Sequence, residues 1–586
     1  MPALADRTQR KLVFSLLFCV FSGMFYLSWM RWGNLFVDTF YDQWVYHKII
    51  SGKVIYKDIY YCYGFLPVYV GAFFYRIFGE TLYASVIFGT IVSVLSTTLV
   101  YRISRLFLGR FISCLLAAHL VVLLLFNGNS DMFNFILPYS SSVTLAIVFV
   151  LSALYFFLKF ILTKNGSFLY ILAISLAIVF LSRYELGFLV TLALGVVALA
   201  WWRLRHDRRL ILAVTLGVVT GALGYVLFIF GNHIYLGFKM SVGGFFMSLG
   251  KDNYFHLRMS GLAYPVRSFV YAFKHFFFQA VIVLLLFFTA RTVNFKKNMI
   301  VAFVALPLVI FLSIRWMGFP YYGVYSSLPV ILAAGSILIL YRFFCNTHKF
   351  DFSVNLALLT AFLVAIAVGL RIILNFSIVH YGFVLGIPGL IAYYLFWFRI
   401  IPDFVIHSEP VRRNYIYSVA IFFIFLNIPI FATGAAHYLQ KTVKIESPHG
   451  YIFSLPDESA VCFRQAVDYM KTVVPKAATL VVLPEGVGIN YFSDHDNPLY
   501  ITTYIPPAID VIGGQDKLIA DLASYKVDYI AIAARGTSEY RFVSFGVDYG
   551  ARVDNWIKEH YALEKVFGSY PFAGSHFGVA LYRRKG

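Results

Sequence analysis

Charge is scarce in this 586-residue chain: Asp, Glu, Lys and Arg make up 13% of it, against 60% hydrophobic residues. Soluble domains carry about 25% charged residues, so a wholly water-soluble protein is excluded. Acid is scarcest where the chain is most apolar, with 12 Asp and Glu beside 33 Lys and Arg in residues 1–440. No basic run is longer than a helix flank, which argues against nucleic acid as a partner. The five cysteines, Cys19, Cys62, Cys114, Cys345 and Cys462, show no CxxC or metal-ligand spacing. A disulfide scaffold and a cysteine-rich zinc site are thereby excluded; Cys62 and Cys462 fall on one expected side of the membrane and are read as two free thiols rather than a bridge. Internal repeats are missing too, which counts against an inverted-repeat transporter.

What the chain has instead is apolar runs long enough to cross a bilayer, recurring from about residue 12 to 435. They predict a polytopic α-helical membrane protein of about 13 spans, centred near residues 22, 92, 118, 150, 175, 194, 220, 280, 305, 330, 363, 390 and 425. The first, after Arg7, Arg10 and Lys11, is too long for the apolar core of a signal peptide and reads as a retained span. Basic clusters recur at every second loop, from Arg102/Arg105/Arg110 through Arg203/Arg205/Arg208/Arg209 to Arg412/Arg413. The positive-inside rule then predicts a cytoplasmic N-terminus, and the odd span count an external C-terminus. The basic excess reads as cytoplasmic loops obeying this rule, with membrane lipids as the surrounding partner.

Residues 441–586 differ in character, with 15 basic and 16 acidic residues. Strand-length apolar runs at Ala478–Leu483, Val527–Ala533, Leu563–Ser569 and Phe577–Arg583 alternate with helical stretches near Ser459–Val474, Asp516–Tyr525 and Asp548–Tyr561. The expected organisation is a transmembrane domain, 1–440, and a small external α/β domain, 441–586, without GxGxxG or P-loop.

One loop concentrates the acid. Residues 33–66, on the expected external side, hold Asp38, Asp42 and Asp58, three of the 12 carboxylates before residue 441. Carboxylates beside a bilayer are costly and usually functional, and these suggest a base working at the membrane surface. Asp38 also reads as the N-cap of the helix that follows. Asp42, one turn on, reads as a ligand of substrate or as a solvated helix position, and Asp58 as a site residue or a turn former. The stretch Asp42–Ile50 has the spacing of a helix lying on the interface. Further along, Asp131 sits in a Gly/Asn/Ser loop suited to an Asx-turn or to sugar hydroxyls. Arg183 and Glu185 form a charged pair at a span end.

The order Asp38, a Tyr-containing helix, Gly52 and Val54-Ile55-Tyr56-Lys57-Asp58 resembles the first external loop of GT-C membrane glycosyltransferases. It is most similar to the bacterial branch related to protein O-mannosyltransferases and aminoarabinose transferases. Phe133-Asn134 with Pro138-Tyr139-Ser140, Arg183-Tyr184-Glu185, and Pro484-Glu485-Gly486 before Asn490-Tyr491-Phe492 extend the resemblance. It implies a bacterial cytoplasmic-membrane enzyme with a polyprenyl-phosphate sugar donor, a glycan, lipid or protein acceptor, and Asp38 as the catalytic residue. No cofactor is required by that chemistry, although a divalent metal is compatible with it. Two features depart from the relatives: Thr39 stands where many have Glu after the catalytic Asp, and the Lys-Pro-Pro-Leu that holds lipid phosphate is Tyr63-Gly64-Phe65-Leu66-Pro67 here. The phosphate-binding cation is therefore sought among Lys57, Lys239, Arg258, Arg315 and Arg371, each of which also reads as a snorkelling anchor. A lipid or polysaccharide transporter, and a non-catalytic envelope assembly factor on a transferase scaffold, are the competing readings.

Overall fold

The computed structural model describes residues 2–239, 253–292, 308, 325–345, 351–511 and 513–586. Among these, ten helices are long and apolar enough to cross a membrane. The polytopic helical expectation therefore holds. Shorter apolar helices at Arg110–Leu125 and Ser167–Ser182 occupy the third and fifth expected spans. The expected span near residue 305, and Arg315, lie outside the described residues.

In chain order, α1 is Pro2–Ser28, α2 Tyr41–Ile50, α3 Leu66–Phe78, α4 Leu82–Ser104, α5 Arg110–Leu120, α6 Ser141–Thr163, α7 Ser167–Ser182, α8 Tyr184–Arg205 and α9 Arg209–Gly231. They are followed by α10 Asn253–Ser260, α11 Pro265–Thr292, α12 Leu328–Cys345, α13 Phe352–Gly369, α14 Ile387–Leu395 and α15 Glu409–Gln440. The centre is built on α6 and α13, whose apolar windows are 67% buried, and on Val384–Val405, 83% buried. Small residues let the helices approach: a Cβ at Gly89 of α4 would strike the carbonyl oxygens of Phe135 and Ile136. Caps fix the helix starts, Ser140 on α6 and Asp351 on α13.

Helix α2 departs from the interfacial expectation. Seven of its ten residues are buried, packed between α3 and the C-terminal region. An amphipathic pattern suits a protein groove as well as a lipid surface, and here Lys48 forms an ion pair with Asp496 while passing over the Trp44 ring. Gly52 has its place in the motif because it follows the end of α2 at φ +87°, where its N–H and that of Lys53 close the last turn.

After α15 the chain forms the hairpin β1 (Val443–Ser447) and β2 (Gly450–Ser454), then a four-stranded sheet of order β3-β4-β6-β5. Strands β3 (Leu480–Leu483) and β4 (Tyr529–Ala533) pair in parallel; β6 (Gly578–Arg584) runs antiparallel between β4 and β5 (Tyr561–Gly568). Side chains alternate across it: Leu480 and Val482 join α16 (Glu458–Val473) and the main core, whereas Val481 and Leu483 join the core under α17 (Gln515–Ser524) and α18 (Ala551–His560). The four strands and three helices expected from run length are all present. Cys62 and Cys462 are free. Substituting Gly89→Val should lower the unfolding midpoint of the detergent-solubilised protein, at a cost of about 1–3 kcal/mol for overpacking; an unchanged midpoint would contradict the close approach of α4 to the 133–137 loop.

Candidate active site

The sheet explains how its contribution to the site arises. Parallel pairing sets the carboxyl ends of β3 and β4 side by side. Glu485 leaves the first two residues past its end and Arg535 leaves the second likewise. The two meet as an ion pair at 3.0 Å, extended by Arg535 to Glu539 at 2.6 Å. Ligand sites gather at this edge of open α/β sheets.

The first loop is pressed onto that edge. Phe36 packs against Phe463 and Phe577 at 5.3 and 4.9 Å, and Phe40 against Phe492 at 4.9 Å. Asp38, between them, adopts φ +53°, a conformation that Asp tolerates better than most residues. Its backbone N–H donates to Glu485 Oε1 at 3.3 Å. Its carboxylate caps no helix; Oδ2 accepts the Tyr381 hydroxyl at 2.7 Å, and among the described residues no hydrogen bond engages Oδ1. Burial raises the proton affinity of Asp38 above the ordinary value of 3.8, and the Tyr381 bond and Arg535 work against it. Glu485 is raised as well, by burial first, with Arg535 opposing and the nearby Asp38 adding to it.

Asp38 opens onto a cavity of about 240 Å³. The same cavity is lined by Arg371, which has no hydrogen-bond or ion-pair partner among the described residues. Arg183 and Asp42 also line it, with the rings of Tyr60, Tyr63 and Tyr139 and residues of the segment 501–511. Arg183 is neutralised by Glu185 at 2.7 Å, donates to Ser142 Oγ at 3.1 Å and lies 3.9 Å over the Tyr63 ring. Asp42 is occupied: it accepts the Ser141 amide at the start of α6 at 2.5 Å and the Tyr61 hydroxyl at 3.3 Å, a favourable place for a carboxylate. Burial nevertheless raises its proton affinity.

The remaining expected residues lie elsewhere. Asp58 accepts the Val54 amide at 2.8 Å and closes a turn. Lys57 lines a separate cavity of about 520 Å³ with Lys517 and Asp521. Asp131 pairs with His437 at 2.8 Å and Lys441 at 2.6 Å; although burial raises its proton affinity, these partners hold the pKa down at about 2. Lys239 and Arg258 are exposed and off the cavity wall. The sequence reading named Glu485 in a motif without giving it a place in the site, and passed over Arg535 and the cavity-lining Tyr540. The available signal was a single charge two residues beyond each of two buried apolar runs. As for metal, no three His, Cys, Asp or Glu side chains converge among the described residues. Asp42 is already engaged by the Ser141 amide and the Tyr61 hydroxyl.

A polytopic helical body whose first loop docks on a C-terminal α/β unit, with Asp38 and Arg371 lining one cavity, is an architecture shared with solved archaeal oligosaccharyltransferase structures. The family profile described as Dolichyl-phosphate-mannose-protein mannosyltransferase (PMT_2) matches residues 64–229. The oligosaccharyltransferase of Archaeoglobus fulgidus in its apo form superposes with TM-score 0.51 at 16% identity, covering 98% of this chain and 74% of that one. The same organism's AglB, in complex with an inhibitory peptide and a dolichol-phosphate, gives TM-score 0.50 at 15% identity over 98% and 74% of the two chains. ArnT from Cupriavidus metallidurans, bound to undecaprenyl phosphate, gives 0.45 at 12% identity over 97% of each chain. No curated protein sequence matches the chain.

Tyr381→Phe removes the donor that lowers the proton affinity of Asp38. The Asp38 titration, followed by difference infrared spectroscopy against Asp38→Asn, should move to higher pH; a downward or absent shift would contradict the Tyr381 contact.

Proposed function

We propose that the chain is an inverting glycosyltransferase that moves a sugar from a polyprenyl-phosphate carrier to an acceptor hydroxyl on the outer face of the membrane. The observation that carries this reading is the presence, in one cavity, of an Asp38 carboxylate oxygen and an Arg371 guanidinium that have no hydrogen-bond or ion-pair partner among the described residues. The dolichol-phosphate in the AglB complex supports a lipid-phosphate donor by analogy of fold alone.

The chemistry follows from the two groups. The acceptor hydroxyl is a poor nucleophile, so Asp38 Oδ1 takes its proton as the oxygen attacks the anomeric carbon from the face opposite the phosphate. The bond between the anomeric carbon and the phosphate oxygen breaks, and its electron pair leaves with the phosphate. Charge on that phosphate rises by one as it departs, and Arg371 is suited to meet the increase with two N–H donors. No acid is needed for so good a leaving group, and no step is routed through a metal. The raised proton affinity of Asp38 suits a base, provided that the pH lies above its shifted pKa. Activity should therefore fall on the acid side at a pH above the 3.8 of a free aspartate. Tyr60, Tyr63 and Tyr139 offer faces for sugar rings, and the segment 501–511 shapes access for the acceptor. Arg183, with Glu185, holds the wall beside Tyr63, and Asp42 holds the start of α6 in register.

The test is turnover of a panel of polyprenyl-phosphate sugars by the purified protein. One donor should be consumed. Asp38→Asn should lower kcat by about 10²–10⁴-fold, and Arg371→Gln should lower kcat/KM by about 10–100-fold. If transfer by a folded Asp38→Asn protein is undiminished, the base assignment fails. If no donor is consumed, the assembly-factor reading takes its place.

A further inference from the structure

Four segments of the chain meet toward the C-terminal end of α2, and each brings a titratable group. His47 comes from α2, Glu80 from the turn between α3 and α4, His449 from the turn between β1 and β2, and Asp494 from the end of the helix Val487–Ser493. His47 Nδ1 lies 2.6 Å from Glu80 Oε2. His449 Nδ1 lies 2.7 Å from the Glu80 backbone carbonyl, and its Nε2 lies 3.5 Å from Asp494 Oδ1. Lys476 holds the other Asp494 oxygen at 3.0 Å, and Lys48, next to His47, pairs with Asp496. Tyr491 stacks on the His449 ring at 4.6 Å, and its hydroxyl meets that of Tyr75 on α3 at 2.9 Å. None of these side chains lines the Asp38 cavity.

The geometry at His449 fixes its tautomer. A backbone carbonyl only accepts, so Nδ1 carries a proton and donates it to Glu80. A neutral imidazole has one N–H, and Nε2 then turns a lone pair toward the Asp494 carboxylate. That contact repels until Nε2 is protonated; it then becomes an ion pair, with both ring nitrogens donating. Burial raises the proton affinity of Asp494, but Lys476, followed by His449 and His47, brings it below the ordinary 3.8. Asp494 is thus charged throughout the range in which imidazoles titrate, about pH 5–8. The two side chains are 11% and 24% exposed, so solvent protons reach them. His47 differs, because its neutral form already satisfies Glu80 by donating from Nδ1. The two imidazole rings lie 5.9 Å apart, a separation at which two cations oppose each other.

We propose that His449 is a proton-operated latch: protonated at Nε2, it ties the α3–α4 turn and the β1–β2 turn to Asp494, and neutral, it lets that edge loosen. The helix that ends at Asp494 is the one that receives Phe40, through Phe492 at 4.9 Å. The latch therefore bears on how firmly the Asp38 loop is held. It does not rest on the proposed reaction, and it is read by exchange rather than turnover, so the two fail separately.

The experiment is hydrogen exchange of the full chain in nanodiscs, followed by mass spectrometry at about pH 6 and about pH 8, with labelling times scaled to the intrinsic exchange rate. Peptides covering 447–452 and 487–497 should exchange about 3–10-fold more slowly at the lower pH, whereas α6, in the core, should not change. His449→Gln still donates to the Glu80 carbonyl but does not titrate, and it should abolish the pH dependence. Asp494→Asn, which leaves His449 in place, should abolish it as well; should His449→Gln not fold, this variant decides alone. His47→Gln should keep the dependence. Exchange independent of pH in the parent, an equal change in α6, a dependence that survives in Asp494→Asn, or one lost in His47→Gln would overturn the latch.

Discussion

The proposed reaction depends on one contact: the loop between α1 and α2 is clamped by the C-terminal α/β unit. Phe36 and Phe40 enter aromatic pockets of that unit, and buried aromatic side chains contribute more than any other contact of that size. The Asp38 N–H reaches Glu485, Lys48 reaches Asp496, and the Tyr60 amide reaches the Tyr500 carbonyl at 2.8 Å. The loop would otherwise be a flexible connector between helices. Held at both ends, it presents Asp38 in a left-handed turn with its carboxylate directed away from the backbone it would otherwise cap.

The clamp also sets the electrostatics. Burying a carboxylate raises its proton affinity, and Asp38 and Glu485 are both raised. Arg535 limits the rise at Glu485 directly and at Asp38 from a distance. The departure from the relatives' Asp-Glu sequence thus has a physical counterpart: Thr39 replaces the neighbouring acid in the chain, while Glu485 brings a carboxylate to the Asp38 backbone from 447 residues away. Arg371 differs from Arg183, the other arginine of the cavity, because no acid among the described residues neutralises it, which leaves its charge available for an anion.

Much of this was legible before any coordinates. Apolar run length exposed the spans and the four strands of the C-terminal sheet, because both are set by local sequence. Gly52 was legible only as a motif position; its left-handed conformation after α2 is the physical reason for it. Asp38, Asp42, Arg183 and Arg371 were all candidates, and all four line one cavity. The partnerships that sort the candidates were not legible. Asp131 looks like Asp38 in sequence, and only the approach of Lys441 and His437 from α15 and beyond separates them. Lys57 and Asp58 stand next to each other in the motif, yet one closes a turn and the other faces a different cavity. The amphipathic pattern of α2 gave no means of telling a lipid surface from a protein groove. Glu485 and Arg535 lie 50 residues apart, and their meeting requires the parallel pairing of β3 with β4, which no local pattern encodes.

The most direct test of the central claim is the structure of the protein with a polyprenyl phosphate bound. The account predicts the phosphate within hydrogen-bonding distance of the Arg371 guanidinium, with Asp38 Oδ1 facing the position of the sugar on the far side of the scissile bond. A phosphate seated instead beside Lys57 and Lys517, with the Asp38 cavity vacant, would contradict it.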